Sequence, residues 1–188
     1  MAEPNENNVR VAVTTEVYCA PIGTTLPTTL ASLSAAFRKV GFTDPDALTE
    51  SLDVTKEILR ASQRMNGVRT LTTEVNWTWN FKAMETTDLV LDLFYLGAET
   101  VNNAGVVTTT IPATPGVTDK VWVIEEVDGD ITTRYVIPRG DITSRGEVPH
   151  RGTEGIVYDM TVQVLGTSLS DLGYRITDDP NLAATIAS

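Results

Sequence analysis

The chain has one cysteine, Cys19, and one histidine, His150, in 188 residues. A single thiol excludes an intramolecular disulfide framework and fits a protein made in a reducing cytoplasm. Its plain expectation is a small buried apolar side chain. One histidine and one cysteine cannot build an ordinary zinc site from the chain's own ligands, and His150 lies in a stretch of Pro, Arg and Gly that reads as surface. Neither Gly-x-Gly-x-x-Gly nor Gly-x-x-x-x-Gly-Lys occurs. Gly166, Thr167, Ser168, Leu169 and Ser170 do not complete a nucleophile elbow. The acidic group Glu125, Glu126, Asp128 and Asp130 lacks the ligand spacing and distal glutamate of a calcium loop, and reads as turn chemistry. The sequence therefore nominates no catalytic, cofactor-binding or metal-ligating residue, and a non-enzyme without a cofactor is expected.

Long apolar runs are missing too: none approaches the roughly 20 residues that cross a bilayer. Met1 to Asn8 is polar and has neither the basic start nor the apolar core of a secretion signal. Basic residues are scarce, 14 against 25 acidic ones, for a net charge of −11 and a pI near 4.4. Sequence-independent binding to nucleic acid depends on neutralising phosphates with Lys and Arg, so this balance argues against it.

What is abundant is β-branched. The chain holds 29 Thr and 21 Val, which suit a pleated surface better than a helix interior. The length is that of one ordinary domain able to bury a core, expected over residues 9–188 after a polar arm at 1–8. The clearest segment is Val68 to Gly97. Leu71, Val75, Trp77, Trp79, Phe81 and Ala83 alternate with Thr70, Thr72, Glu74, Asn76, Thr78, Asn80 and Lys82, which predicts a long strand with one dry and one wet face. Trp77 and Trp79 share a face with Phe81 and are expected in the core. Thr86 or Thr87 then caps a short helix carrying Leu89, Val90, Leu93, Phe94 and Leu96, with Gly97 as its stop.

Elsewhere, Val9, Val11, Val13, Val17 and Cys19 predict a first strand ended by Pro21 and Gly23. Leu30, Leu33, Phe37 and Val40 follow helical spacing behind Thr28 or Thr29, predicting a second helix closed by Gly41. Residues 42–67 stay open between a broken strand, from Val54 and Ile58, and a helix whose face carries Lys56, Arg60 and Arg64. That basic stripe reads as a solvated or intersubunit face rather than a DNA contact. Residues 98–119 predict an extended irregular loop, long enough to have a job. Val121–Val127 and Ile131–Ile137 flank Asp128-Gly129-Asp130 as a hairpin, with Pro138 closing its second arm and 139–155 irregular. Ile156, Tyr158, Met160, Val162 and Val164 make a last strand, and the tail after Asp178 frays or docks.

The opening strand Val9–Ala20, then Pro21, Ile22, Gly23, Thr24 and Leu30–Phe42, resembles the start of major tail tube proteins of long-tailed, siphovirus-type bacteriophages, especially those infecting actinobacteria. Val68, Arg69 and Thr70 leading into the long strand, Glu85 and Thr86 before the Leu-rich helix, the strand Ile156–Leu165 and the closing Asp178, Asp179 and Pro180 are similar to that family's centre and end. The resemblance implies a mainly β, sandwich- or barrel-like fold with one flanking α-helix and long loops. It also implies a structural virion protein made in the host bacterial cytoplasm. Its subunits would form sixfold rings that stack into a hollow conduit, through whose lumen DNA passes without being held. Implied partners are other copies of the chain and the tape measure, distal tail and tail terminator proteins; no membrane is involved. Glu74 is a candidate for the lumen. A head–tail joining, tail terminator or capsid-decoration protein is the alternative within virions. A carbohydrate-binding or adhesion module is another, and it would need exposed aromatics that the dry-face placement of most of the 12 aromatics disfavours.

Overall fold

The computed structural model describes residues 5–60, 62, 66–114, 116, 118–153, 155–167 and 171–186. Its main body is an eight-stranded antiparallel sheet built from β1 (Thr14–Pro21), β2 (Arg38–Lys39), β3 (Thr49–Arg60), β4 (Gly67–Ala83), β7 (Lys120–Asp128), β8 (Ile131–Arg145), β9 (Tyr158–Val164) and β10 (Tyr174–Thr177). The strand order is β2-β1-β7-β8-β9-β4-β3, with β10 beside the first half of β8. A separate two-stranded hairpin joins β5 (Glu99–Asn103) to β6 (Val106–Thr110). Two short helices complete the chain, α1 (Asp88–Phe94) and α2 (Pro180–Ile186). The fold is mainly β, as the β-branched composition implies.

The sheet is strongly curled, and ring contacts show by how much. β7 and β4 are three places apart, roughly 14 Å in a flat sheet at ~4.8 Å per strand, yet the Phe81 and Trp122 ring centroids are 5.8 Å apart. Trp79 of β4 likewise meets Tyr135 of β8 at 4.9 Å. The concave face thus closes on itself around Val17, Trp79, Phe81, Trp122, Ile124, Ile137, Met160 and Val162, all buried. Helix α1 seals it with Leu89, Val90 and Leu93. Thr87 caps that helix by accepting from the Val90 amide at 3.2 Å, and Gly97, at φ 86°, lets the chain turn out of it. A smaller cluster on the convex face comprises Ala20, Val121, Val123 and Val136, covered by Phe37, Leu26 and Leu33.

The structure corrects the sequence reading in several places. Residues 28–37 are irregular rather than helical. Leu33 and Phe37 do pack inward, but the buried Arg134 donates to the carbonyls of Thr29, Leu30 and Ala31, oxygens that a helix would bond internally. Within 42–67 the strand alternative holds over Thr49–Arg60: β3 pairs with β4 along its length, with bulges at Thr55/Lys56 and Leu59/Arg60. Lys56 and Arg60 therefore sit on a strand, and Arg64 lies outside the described residues. The segment 98–119 contains the β5–β6 hairpin, turned by Ala104 at φ 51° and Gly105 at φ 90°. Strand β8 runs through Pro138 because two of its residues, Pro138 and Arg139, face the single Val121 of β7. That bulge absorbs the missing N–H. Among the described residues of that stretch only those beyond Arg145 are irregular.

Candidate assembly interface

Strand β9 pairs with β4 only over Thr78–Ala83, whereas β4 and β3 continue together down to Gly67 and Arg60. From Trp77 towards Gly67 the hairpin thus stands clear of the sheet. One edge of β4 there has no strand beside it, and β3 is an edge over its whole length. Period two holds along β4 from Glu74 to Ala83, before the bulge opposite Thr55 and Lys56, but its dry face is dry only where the sheet covers it. Trp79, Phe81 and Ala83 are buried, while Leu71 and Val75 are both 44% exposed. Opposite Val75 lies Val54, and Leu52 faces Trp77; with Ile58 further along β3 they form an exposed apolar strip, and Leu59 and Val68 are exposed near the hairpin's end. Unpaired edges with apolar side chains invite pairing with another chain.

Trp77 marks the border between the core and this strip. Its ring meets Trp79 edge-on at 6.2 Å, and its Nε1 donates to Glu50 Oε1 at 2.7 Å. The opposite face of the same strands is polar from Asn80 to Glu74. Asn80 donates to Asp159 Oδ1 at 2.7 Å and to Thr161 Oγ1 at 3.0 Å, and Asn76 to Glu74 Oε1 at 2.8 Å. Glu74 is thus exposed on the wet face, as expected.

Two further features leave apolar groups in solvent. The β5–β6 hairpin exposes Val101, Val106, Val107 and Ile111, although an isolated two-stranded hairpin is marginal in water. The N-terminal segment exposes Val9, Val11 and Val13, so the buried part of the first strand begins later than the alternation implied. This segment is nevertheless held. The amides of Val11 and Val13 donate to Asp128 Oδ2 at 3.1 Å and to the Val127 carbonyl at 3.0 Å. Arg10 makes a two-pronged contact with Asp179, 2.8 and 2.7 Å, and Asp179 also accepts from the Asn181 amide at the start of α2. The tail docks rather than frays. With the partners 169 positions apart in the sequence, no local pattern announces this clamp.

The Arg10 hydrogen bonds hold the Asp179 carboxyl down at about 2, against an ordinary value of 3.8. A depressed carboxylate contributes stability above its unfolded value and loses it as pH falls through the folded one. The clamp is therefore intact at neutral pH, weakens below about 4 and is lost near 2. At pH 7, Asp179→Ala should expose the Arg10–Val11 bond, giving trypsin cleavage there several-fold faster than in the unaltered protein. Equal rates would show that the clamp does not hold the arm.

Nothing in the described residues assembles a reaction centre. Burial pushes the Cys19 thiol up to about 12, so it is a packed apolar group and not a nucleophile. His150 is exposed in its loop. Ser168, Leu169 and Ser170 lie outside the described residues. Among the described residues no group of three or more His, Cys, Asp or Glu is placed to hold a metal, and no helix is long and apolar enough to cross a membrane. A cleft of about 540 Å³ between residues 30–37 and the convex face has Arg134 and Glu125 in its lining. Arg134 is already committed to Glu125 and three carbonyls.

Strand edges, an apolar strip and projecting hairpins mark a mainly β chain with surfaces left uncovered. The chain belongs to the phage tail tube protein family, whose model matches residues 1–187. Members of that family are structural proteins of the phage tail and not enzymes. Comparison with curated proteins gives no match. Among solved structures, a chain of the sixfold-symmetrised cryo-EM structure of the anti-feeding prophage (AFP) baseplate is similar at 10% identity and a TM-score of 0.41. The match covers 94% of this chain and 97% of that one.

Proposed function

We propose that this protein is the repeating subunit of a tail tube, forming rings, six subunits to each as the family resemblance implies, that stack into the conduit for phage DNA. The observation that carries the reading is the β3–β4 hairpin, which leaves the sheet with unpaired edges and an uncovered apolar strip. Such a surface is unfinished in one subunit and is completed by a neighbour. Ring closure and stacking are heterologous contacts, patch to different patch, so they draw on distinct surfaces of one chain. In this scheme the hairpin makes contacts within a ring, and the β5–β6 hairpin and N-terminal segment reach between rings. The single domain spans residues 9–188.

A net charge of −11 suits a channel that passes DNA without gripping it, because carboxylate and phosphate repel and no counterions are released. The tape measure, distal tail and tail terminator proteins are the partners at the tube's ends and core, in the virion. Deleting 102–115 tests the stacking role. The shortened protein is expected to keep its fold and its rings and to lose long tubes, as seen by negative-stain microscopy. Tubes of ordinary length from the deletion would remove the hairpin from the stacking contact.

A further inference from the structure

We infer that the distal end of the β3–β4 hairpin is a basic contact that docks on the acidic body of a second copy of the chain, an inference that rests on the assembly reading above. Four of the 14 basic residues fall between Lys56 and Arg69, with Glu57 the one acidic residue among them. That stretch carries +3, and the remainder, with ten basic and 24 acidic residues, carries −14. The side chains of Lys56, Arg60 and Arg69 are exposed and have no hydrogen bond or ion pair among the described residues. By contrast, the ion pairs found use Arg10, Arg38, Lys39, Lys120, Arg134 and Arg139, all on the body. Six of the ten cations outside that stretch are engaged in ion pairs with body acids, and acids such as Asp46, Glu99, Asp130 and Glu147 are exposed without a basic partner among the described residues.

Distance prevents the hairpin from answering that charge within one subunit. Arg69 lies nine residues beyond Thr78, the last residue of β4 paired with β9, about 30 Å along a strand. Screening in physiological salt extends about 8 Å, so Arg60 and Arg69 at the hairpin's end do not feel the body they grow from, and Lys56, opposite Thr72, has the hairpin's own Glu57 and Glu74 beside it. The two arginines feel a neighbour's body. Charged residues on an edge strand can also serve to block stray pairing, but in a chain this acidic, carboxylates would repel copies and Lys and Arg attract them. Ile58, Leu59 and Val68 lie among these charges, so docking buries apolar surface between them. A Cβ at Gly67 would collide with Ile58, which keeps the two strands in close register at this end.

The test compares assembly of the unaltered chain, the reversed triple variant Lys56→Glu/Arg60→Glu/Arg69→Glu, and the charge-keeping variant Lys56→Arg/Arg60→Lys/Arg69→Lys. Each is followed by sedimentation and negative-stain microscopy in about 0.1 M and about 1 M sodium chloride, where the screening length falls from about 10 to about 3 Å. Circular dichroism and thermal melting establish that all three fold. The reversed variant is expected to need about tenfold or more protein to form tubes, the charge-keeping variant to match the unaltered chain, and the unaltered chain to assemble less well in high salt. Equal assembly by the reversed variant, or assembly indifferent to salt, overturns the inference and leaves the tube reading standing. An unaltered chain that forms neither rings nor tubes overturns both. Fluorescence anisotropy with a short DNA duplex covers the other target for these cations. DNA binding by the unaltered subunit, lost in a reversed variant that still builds tubes, overturns the inference in favour of a DNA contact.

Discussion

Replacing Val54, Ile58 and Val75 together by threonine should yield a folded subunit that no longer builds tubes. All three side chains are 44% exposed or more, so little is lost within the subunit. Threonine keeps the β-branch that suits a strand, and surface changes of this kind stay within about 0.5 kcal/mol each. In an assembly where a neighbour covers the strip, each hydroxyl must be desolvated and each methyl's burial is forfeited, about 1 kcal/mol per site. Three sites then cost about 3 kcal/mol per contact, which raises the concentration needed for assembly by roughly a hundredfold. Because every ring repeats the contact, the transition from tubes to free subunits should be sharp in sedimentation analysis. Unimpaired tubes would mean that the strip faces solvent in the tail.

This strip also shows where the sequence was readable and where it was not. The alternation from Val68 to Ala83 located β4, its turn into α1, the Thr87 cap and the Gly97 stop, because each depends on neighbours within a few residues. That alternation could not reveal that the dry face is uncovered below Trp77, since this depends on where β9 ends, about eighty residues away. The same limit explains the irregular segment at 28–37. Leu30, Leu33, Phe37 and Val40 have helical spacing, and Leu33 and Phe37 find apolar partners. The backbone is decided instead by Arg134, more than a hundred residues downstream. The β5–β6 hairpin went unread because neither face is buried, so no period of two emerges. Its β-branched Val106–Thr110 and the Ala104-Gly105 turn were the available signals.

The second large effect is expected at Arg134, whose side chain is only 4% exposed. Its Nε donates to Glu125 Oε1 at 2.6 Å, and its remaining donors satisfy the carbonyls of Thr29, Leu30 and Ala31. Arg134→Ala removes every one of these donors and leaves a partly buried carboxylate facing oxygens without donors. Breaking a buried pair from one side costs about 3–5 kcal/mol. Denaturant unfolding should show a loss of stability of that size, with residues 28–37 becoming the first segment cut by protease. Changing Glu125→Gln in the same chain should restore part of the loss, because the unpaired charge is then gone. A shift below about 1 kcal/mol for Arg134→Ala would show that the segment over the convex face is held by Leu33 and Phe37 alone.

The central claim is that this subunit is completed by copies of itself within rings that stack into a tube. Negative-stain electron microscopy of the purified protein across a concentration series, beside sedimentation of the same samples, tests it most directly. Hollow tubes of stacked rings, growing in number as concentration rises, are the predicted result. Single rings that never stack, or a monomer at every concentration, would contradict it.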